Sequence, residues 1–238
     1  MGRGTRATRL AVAWNLITFL VIVAALAIQL SLVIRGSNVL VETSPPGTAT
    51  RVIRFFSYFT VQSNILVAAT ALTLVIAPRR DGRIWRVVRL DALIGIAVTG
   101  VIYVTLLRPV VNLHGIAATT DVAFHYLAPL LAVIGWLLFG PRPRITDSVL
   151  PPALIWPAAY VLYTVAHGAA SGWYPYPFVD VTDLGYPTVL RNGVLISVLL
   201  LGAAYLFMVT DRVLPTGRDD AREPVRVRAS AQSVGGTE

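Results

Sequence analysis

The sequence predicts an all-α polytopic membrane protein with six transmembrane helices and both termini in the cytoplasm. Three observations predict it. The chain has 238 residues, 55% hydrophobic and only 13% charged, where a soluble domain carries roughly 25% charged residues. Apolar runs recur at roughly 10–34, 56–77, 90–108, 122–140, 151–170 and 190–210, and about 20 apolar residues suffice to cross a hydrocarbon core. All 20 basic residues are Arg, and they segregate to one side of those runs.

The first run is too long for a secretory signal and lacks a small-residue cleavage site, so it reads as an anchor. Ser44-Pro45-Pro46-Gly47 breaks the outer loop that follows. Pro78 closes the second run, and Gly140-Pro141-Arg142-Pro143 closes the fourth. Pro151-Pro152 opens the fifth, where missing amide donors cost nothing. Pro129 and Pro157 fall inside helices and predict kinks. The loop from Ser171 to Tyr186, rich in Trp, Tyr and Pro, suits the headgroup level. Residues 1–212 form one membrane domain, and 213–238 a basic, disordered cytoplasmic tail. There is no internal repeat and no pair of broken helices of the transporter type.

With the N-terminus inside, fifteen Arg lie on cytoplasmic segments and five, Arg35, Arg51, Arg54, Arg108 and Arg191, on the other side. That is a positive-inside bias. It makes the basic loops orientation signals and contacts for membrane lipids rather than a nucleic-acid surface. The all-Arg usage fits a bacterial source, hence a bacterial plasma membrane. The absence of Cys excludes disulfides, thiolate nucleophiles and Cys-ligated metals. Nothing in the sequence sets an oligomeric state.

Polar groups cost free energy in hydrocarbon unless they pair or work, and here they gather in one outer layer. Ser57, Thr60 and Asn64 share a face at the start of the second run. Thr60 lies ~6 Å below its outer end at 1.5 Å per residue. Asp121 and His125 stack one turn apart in the fourth. Tyr160, Tyr163, Thr164 and His167 form a stripe in the fifth. Tyr103 and Arg108 close the third, Arg191 and Asn192 open the sixth, and Gln29 lies in the first. The inner halves are nearly pure Leu, Val, Ile and Ala, with Asp91 and Asp211 expected at a wetted cytoplasmic rim. Taken singly, each residue has a structural explanation: Thr and Ser back-bond to carbonyls, Asp121 and His125 satisfy each other, and Arg108 and Arg191 snorkel to lipid phosphates.

Around Phe59-Thr60-Val61-Gln62-Ser63-Asn64 and His125-Tyr126-Leu127-Ala128-Pro129, the chain resembles the androgen-induced protein and androgen-dependent TFPI-regulating protein family. The six-run layout and the late Trp173-Tyr174-Pro175-Tyr176-Pro177-Phe178 segment add to the likeness, which covers roughly residues 10–212. The resemblance implies a membrane threonine hydrolase that cleaves fatty acid esters of hydroxy fatty acids or similar lipid esters. It places the nucleophile on Thr60 and the base on His125, with no cofactor.

Ester hydrolysis needs a nucleophile, a base and donors for the developing oxyanion. Asp121 is placed to orient His125. Asn64 or Asn192 is a candidate oxyanion donor, and His167 a substitute or aid for His125. Arg108 or Arg191 would hold a lipid carboxylate, with Tyr103 and Tyr163 lining the substrate site. The inner bundle would accept acyl chains, and water would enter from outside. Four other readings stand beside this one: a zinc hydrolase using His125, His167 and Asp121 or His114; a haem held between His125 and His167; a non-enzymatic lipid-binding protein; and a small transporter.

Overall fold

A computed structural model describes residues 3–36 and 46–214; the expected tail lies outside the described residues apart from its first two positions. The fold is all-α. Six helical spans are long and apolar enough to cross a membrane: Arg6–Ile34, Phe59–Ile76, Arg83–Leu107, Gly115–Phe139, Leu150–Ser171 and Val181–Val213. Helices α1 (Arg3–Ile34), α2 (Thr48–Ser57), α3 (Phe59–Ile76), α4 (Arg83–Ile102), α5 (Gly115–Val122), α6 (Ala128–Phe139), α7 (Leu150–Ala153), α8 (Ile155–Ser171) and α9 (Val181–Val213) follow in order.

Helix α4 is the axis of the bundle, in contact with α3, α6 and α9, while α1 packs along α3 and α6. Leu90, Leu93 and Ile94 of α4 meet Trp136 of α6 and Leu200, Ala204 and Phe207 of α9 in the main core. A second layer joins Ile22, Val67, Ala92, Ile96 and Ala128. Small residues set the close approaches. A Cβ on Gly95 would meet Ser63 Oγ at 2.8 Å, and one on Gly135 would meet the Trp14 indole nitrogen at 2.5 Å.

Three departures from the expected helices shape the site. First, the chain is extended at Tyr58 (φ −73°, ψ 130°), so α3 begins at Phe59 and Ser57 ends a separate helix. Thr60 is the second residue of its helix, not one turn inside it. Second, the runs ending α4 and α5 continue as wider turns at Tyr103–Leu107 and Ala123–Leu127. Each lies just before a proline, Pro109 or Pro129. A proline ring collides with the carbonyl four residues back, and an added residue in the turn relieves that collision. Third, α9 starts nine residues before the sixth predicted run and breaks at Gly185 (φ 72°, ψ 158°). Glycine tolerates that backbone, and Pro187 follows in the first resumed turn, where its missing N–H is harmless.

The inner half is less purely apolar than expected, and its carboxylates are not wetted. Asp211 is 1% exposed and accepts the Arg144 and Ile145 amides at 2.6 and 2.7 Å. Asp91 and Arg89 of α4 are buried as well.

Candidate active site

The outer end of the bundle, named after the charge bias, gathers side chains from α3, α4, the α5–α6 span, α8 and the loop before α9. Its geometry starts from the uncapped start of α3. The first amides of a helix lack intrahelical partners, and α3 has no Ser, Thr, Asp or Asn cap. Two phenols from distant elements supply the acceptors. Tyr160 Oη accepts the Phe59 amide at 3.2 Å, and Tyr176 Oη accepts the Thr60 amide at 3.1 Å.

Thr60 Oγ then faces two partners. It lies 3.4 Å from His125 Nε2 and 3.3 Å from Tyr176 Oη. On the far side of the ring, His125 Nδ1 is 3.0 Å from the Asp121 carbonyl oxygen and 3.0 Å from Asp121 Oδ1. Both are pure acceptors, so Nδ1 carries the hydrogen, and in the neutral ring Nε2 presents its lone pair to the Thr60 hydroxyl. Tyr103 donates to Asp121 Oδ2. Its ring stacks on His125 with centroids 3.9 Å apart and planes 14° from parallel. The wide turns place both rings: Tyr103 opens one and His125 is the middle residue of the other. The result is a continuous chain from Tyr103 through Asp121 and His125 to Thr60, the arrangement that lets a base take a hydroxyl proton.

Tyr176 was expected to be a headgroup-belt residue. Instead it is the partner nearest the Thr60 hydroxyl. Its oxygen receives the Thr60 amide, which leaves its own proton free for Thr60 Oγ or for an oxygen bound beside it. Burial pushes this phenol above the ordinary tyrosine range, so it stays a donor at neutral pH. Only its place in an aromatic loop beside helix starts could have signalled this in the sequence.

Two cavities meet at Thr60. The larger, about 280 Å³, lies between α4, α8 and α9, with Val98, Thr99, Pro157, Val161, Gly193 and Ile196 among its lining. The smaller, about 70 Å³, lies under the outer loop and is lined by Gln29, Tyr58, Tyr103, Asp121 and His125. Thr60, Leu107 and Tyr176 line both. The larger cavity runs from Thr60 into the bundle as far as Pro157 of α8 and Leu200 of α9, within the apolar region expected to accept acyl chains.

Other predicted residues are engaged elsewhere. Asn64 is fully buried, and its amide donates to the Thr60 carbonyl at 2.8 Å, bracing the helix rather than facing the hydroxyl. Asn192 donates to the Phe178 carbonyl at 2.8 Å and fastens the loop that carries Tyr176. Tyr163 Oη is 2.5 Å from Ser57 Oγ and ties α8 to α2. His167 lies 3.3 Å from Ser171 Oγ and against the Tyr163 and Trp173 rings. Arg108 and Arg191 are exposed. None of these last four lines either cavity. His125 and His167 share no cavity, and among the described residues no three His, Cys, Asp or Glu side chains converge on a common point. The three-residue zinc ligand sets do not assemble among the described residues.

No family model matches the chain, and no significant similarity to a curated protein or a solved structure is found.

Proposed function

We propose that the protein is an intramembrane threonine hydrolase of lipid esters, placed in a bacterial plasma membrane. The observation that carries the reading is the Asp121–His125–Thr60 chain at the junction of two cavities. Its resemblance to the androgen-induced protein family points the same way.

In this mechanism His125 Nε2 takes the Thr60 proton as Oγ attacks the ester carbonyl carbon. The Tyr176 phenol donates to the oxygen that becomes negative. The carbon–alkoxide bond breaks, the leaving alkoxide takes the proton from His125, and the acyl group remains on Thr60. Water then attacks with His125 again as base. The bond to Thr60 breaks, Oγ regains a proton, and a fatty acid leaves. Asp121 keeps the ring in the working tautomer and stabilises its charged form. Tyr103 holds Asp121 and the ring in place. A non-enzymatic lipid-binding protein would have equal use for the apolar cavity but none for a hydroxyl, imidazole and carboxylate in series.

The experiment is turnover of a lipid ester panel by purified protein in proteoliposomes. Wild type releases fatty acid, and Thr60→Ala and His125→Ala do not. Release by either variant at the parent rate would contradict the assignment.

A further inference from the structure

Resting on that hydrolase reading, the two cavities also orient the substrate. We infer that the large cavity takes the acyl arm of a lipid ester directly from the bilayer through an opening between α8 and α9. The alcohol arm, compact or polar, leaves through the small cavity on the outer side.

The chemistry fixes which arm goes where. The alkoxide must depart beside the group that protonates it, and His125 lines the small cavity alone. The acyl arm is left with the large one. The two spaces suit these roles. The small cavity has a quarter of the volume, a wall that includes Gln29, Asp121 and His125, and a rim at Val111 and Leu113 in the outer loop. Both walls are mainly hydrocarbon, so it is size and the presence of His125 and Asp121 that set the small cavity apart.

The opening follows from residues that belong to both the cavity and the surface. Val161 and Val165 of α8 and Leu190 of α9 line the large cavity, yet are 45%, 42% and 70% exposed. All three fall within membrane spans, so they face acyl chains rather than water. Movement of a chain from bilayer to cavity exchanges hydrocarbon for hydrocarbon and carries little driving force. Discrimination between acyl chains is therefore steric, set by how far the cavity extends. Gly193 lies midway along the stretch of α9 that lines it, from Tyr186 to Leu200. A Cβ there would meet nothing within 4 Å. A glycine inside a helix lowers its stability relative to alanine. Gly202 of α9 is equally open without lining the cavity, so Gly193 is singled out by its place on the wall, where an added side chain would enter the space.

The test uses 1-palmitoylglycerol, 1-butyrylglycerol and the reversed ester hexadecyl acetate with full-length protein in proteoliposomes. Wild type is expected to cleave palmitoylglycerol at least tenfold faster than hexadecyl acetate. Gly193→Phe is expected to lose at least tenfold more on palmitoylglycerol than on butyrylglycerol. Faster cleavage of hexadecyl acetate, or equal losses on both glycerol esters, would overturn the inference and leave the Thr60–His125 hydrolase standing. Failure of the wild type on all three esters would overturn both. Photolabelling is a separate readout, using Thr60→Ala and palmitoylglycerol with a diazirine at the chain end. The label should fall on residues 157–165 or 186–200; a label on α1 or α6 instead would overturn the route whether or not Gly193→Phe folds.

Discussion

The two walls of the site are built differently. On the α3 and α4 side, 50% and 61% of the most apolar stretch of each span is buried, against 22% in the spans of α8 and α9. The glycines tell the same story: Gly95 in α4 is crowded by Ser63 and Trp156, and Gly193 in α9 has open space around it. The packed wall carries Thr60 and Tyr103 and backs the turn that holds His125, while the loose wall leaves room and an exit to lipid. Holding a hydroxyl, imidazole and carboxylate in register demands rigid support, because displacements near 1 Å cost large factors in rate. A flexible acyl chain demands only volume.

That contrast is sharpest in the reacting groups themselves. Thr60→Ala and His125→Ala should each cut ester turnover by about 10⁴-fold or more, as removal of a nucleophile or base does elsewhere. Thermal unfolding should change little for Thr60→Ala, whose hydroxyl makes two long contacts at 3.3 and 3.4 Å, whereas His125→Ala also removes the Asp121 contact and the Tyr103 stack and should unfold earlier. Asp121→Asn keeps the shape but frees the imidazole to adopt the other tautomer, and a fall of about 10²–10⁴-fold in kcat is expected. Tyr176→Phe removes one oxyanion donor and should cost about 10²-fold in kcat with KM nearly constant. A residual rate near wild type in any of these, measured by fatty acid release, would break the assignment of that group to the reaction.

Stability measurements probe the walls directly. Gly95→Leu forces side chain into Ser63 and Trp156 and should destabilise by about 1–3 kcal/mol in detergent. Gly193→Leu should be neutral or stabilising by up to about 1 kcal/mol, because it improves helix propensity and fills only empty space. Equal losses at both positions would erase the difference between the walls.

The smallest expected effect lies away from the site, at the loop between α3 and α4. The Arg86 guanidinium hydrogen-bonded to Asp81 holds that carboxyl well below the usual carboxylate range. A lowered folded value means the pair supports the fold at neutral pH and stops doing so as pH falls below the ordinary value near 3.9. Asp81→Asn should therefore cost less than about 1 kcal/mol at pH 7, as exposed ion pairs do, and the difference from wild type should vanish in strong acid.

The spans were legible in the sequence because hydrocarbon imposes length and composition on any helix that crosses it. The pairing of Thr60 with His125 was suggested by the family resemblance together with depth; depth alone left His167 as an alternative base. What the sequence hid depended on tertiary context. The break at Tyr58 carries no Pro or Gly and is held by Tyr160 and Tyr176, more than a hundred positions away in the chain. Tyr176 looked like its neighbours in the aromatic loop until the loop folded back over α3. Arg108 and Arg191 had the right depth but exposed directions, which depth cannot reveal. The cavity between α8 and α9 was invisible because an absence of packing leaves no residue signature; of the two open glycines of α9, Gly193 lines the cavity and Gly202 does not.

Activation of the Thr60 hydroxyl by His125 is tested most directly by covalent capture. Purified protein is treated with an alkyl fluorophosphonate, and the modified residue is located by peptide mass spectrometry in the wild type, Thr60→Ala and His125→Ala. A single adduct on Thr60, absent from both variants, is the predicted result. An adduct on another residue, or undiminished labelling of Thr60 in His125→Ala, would contradict it.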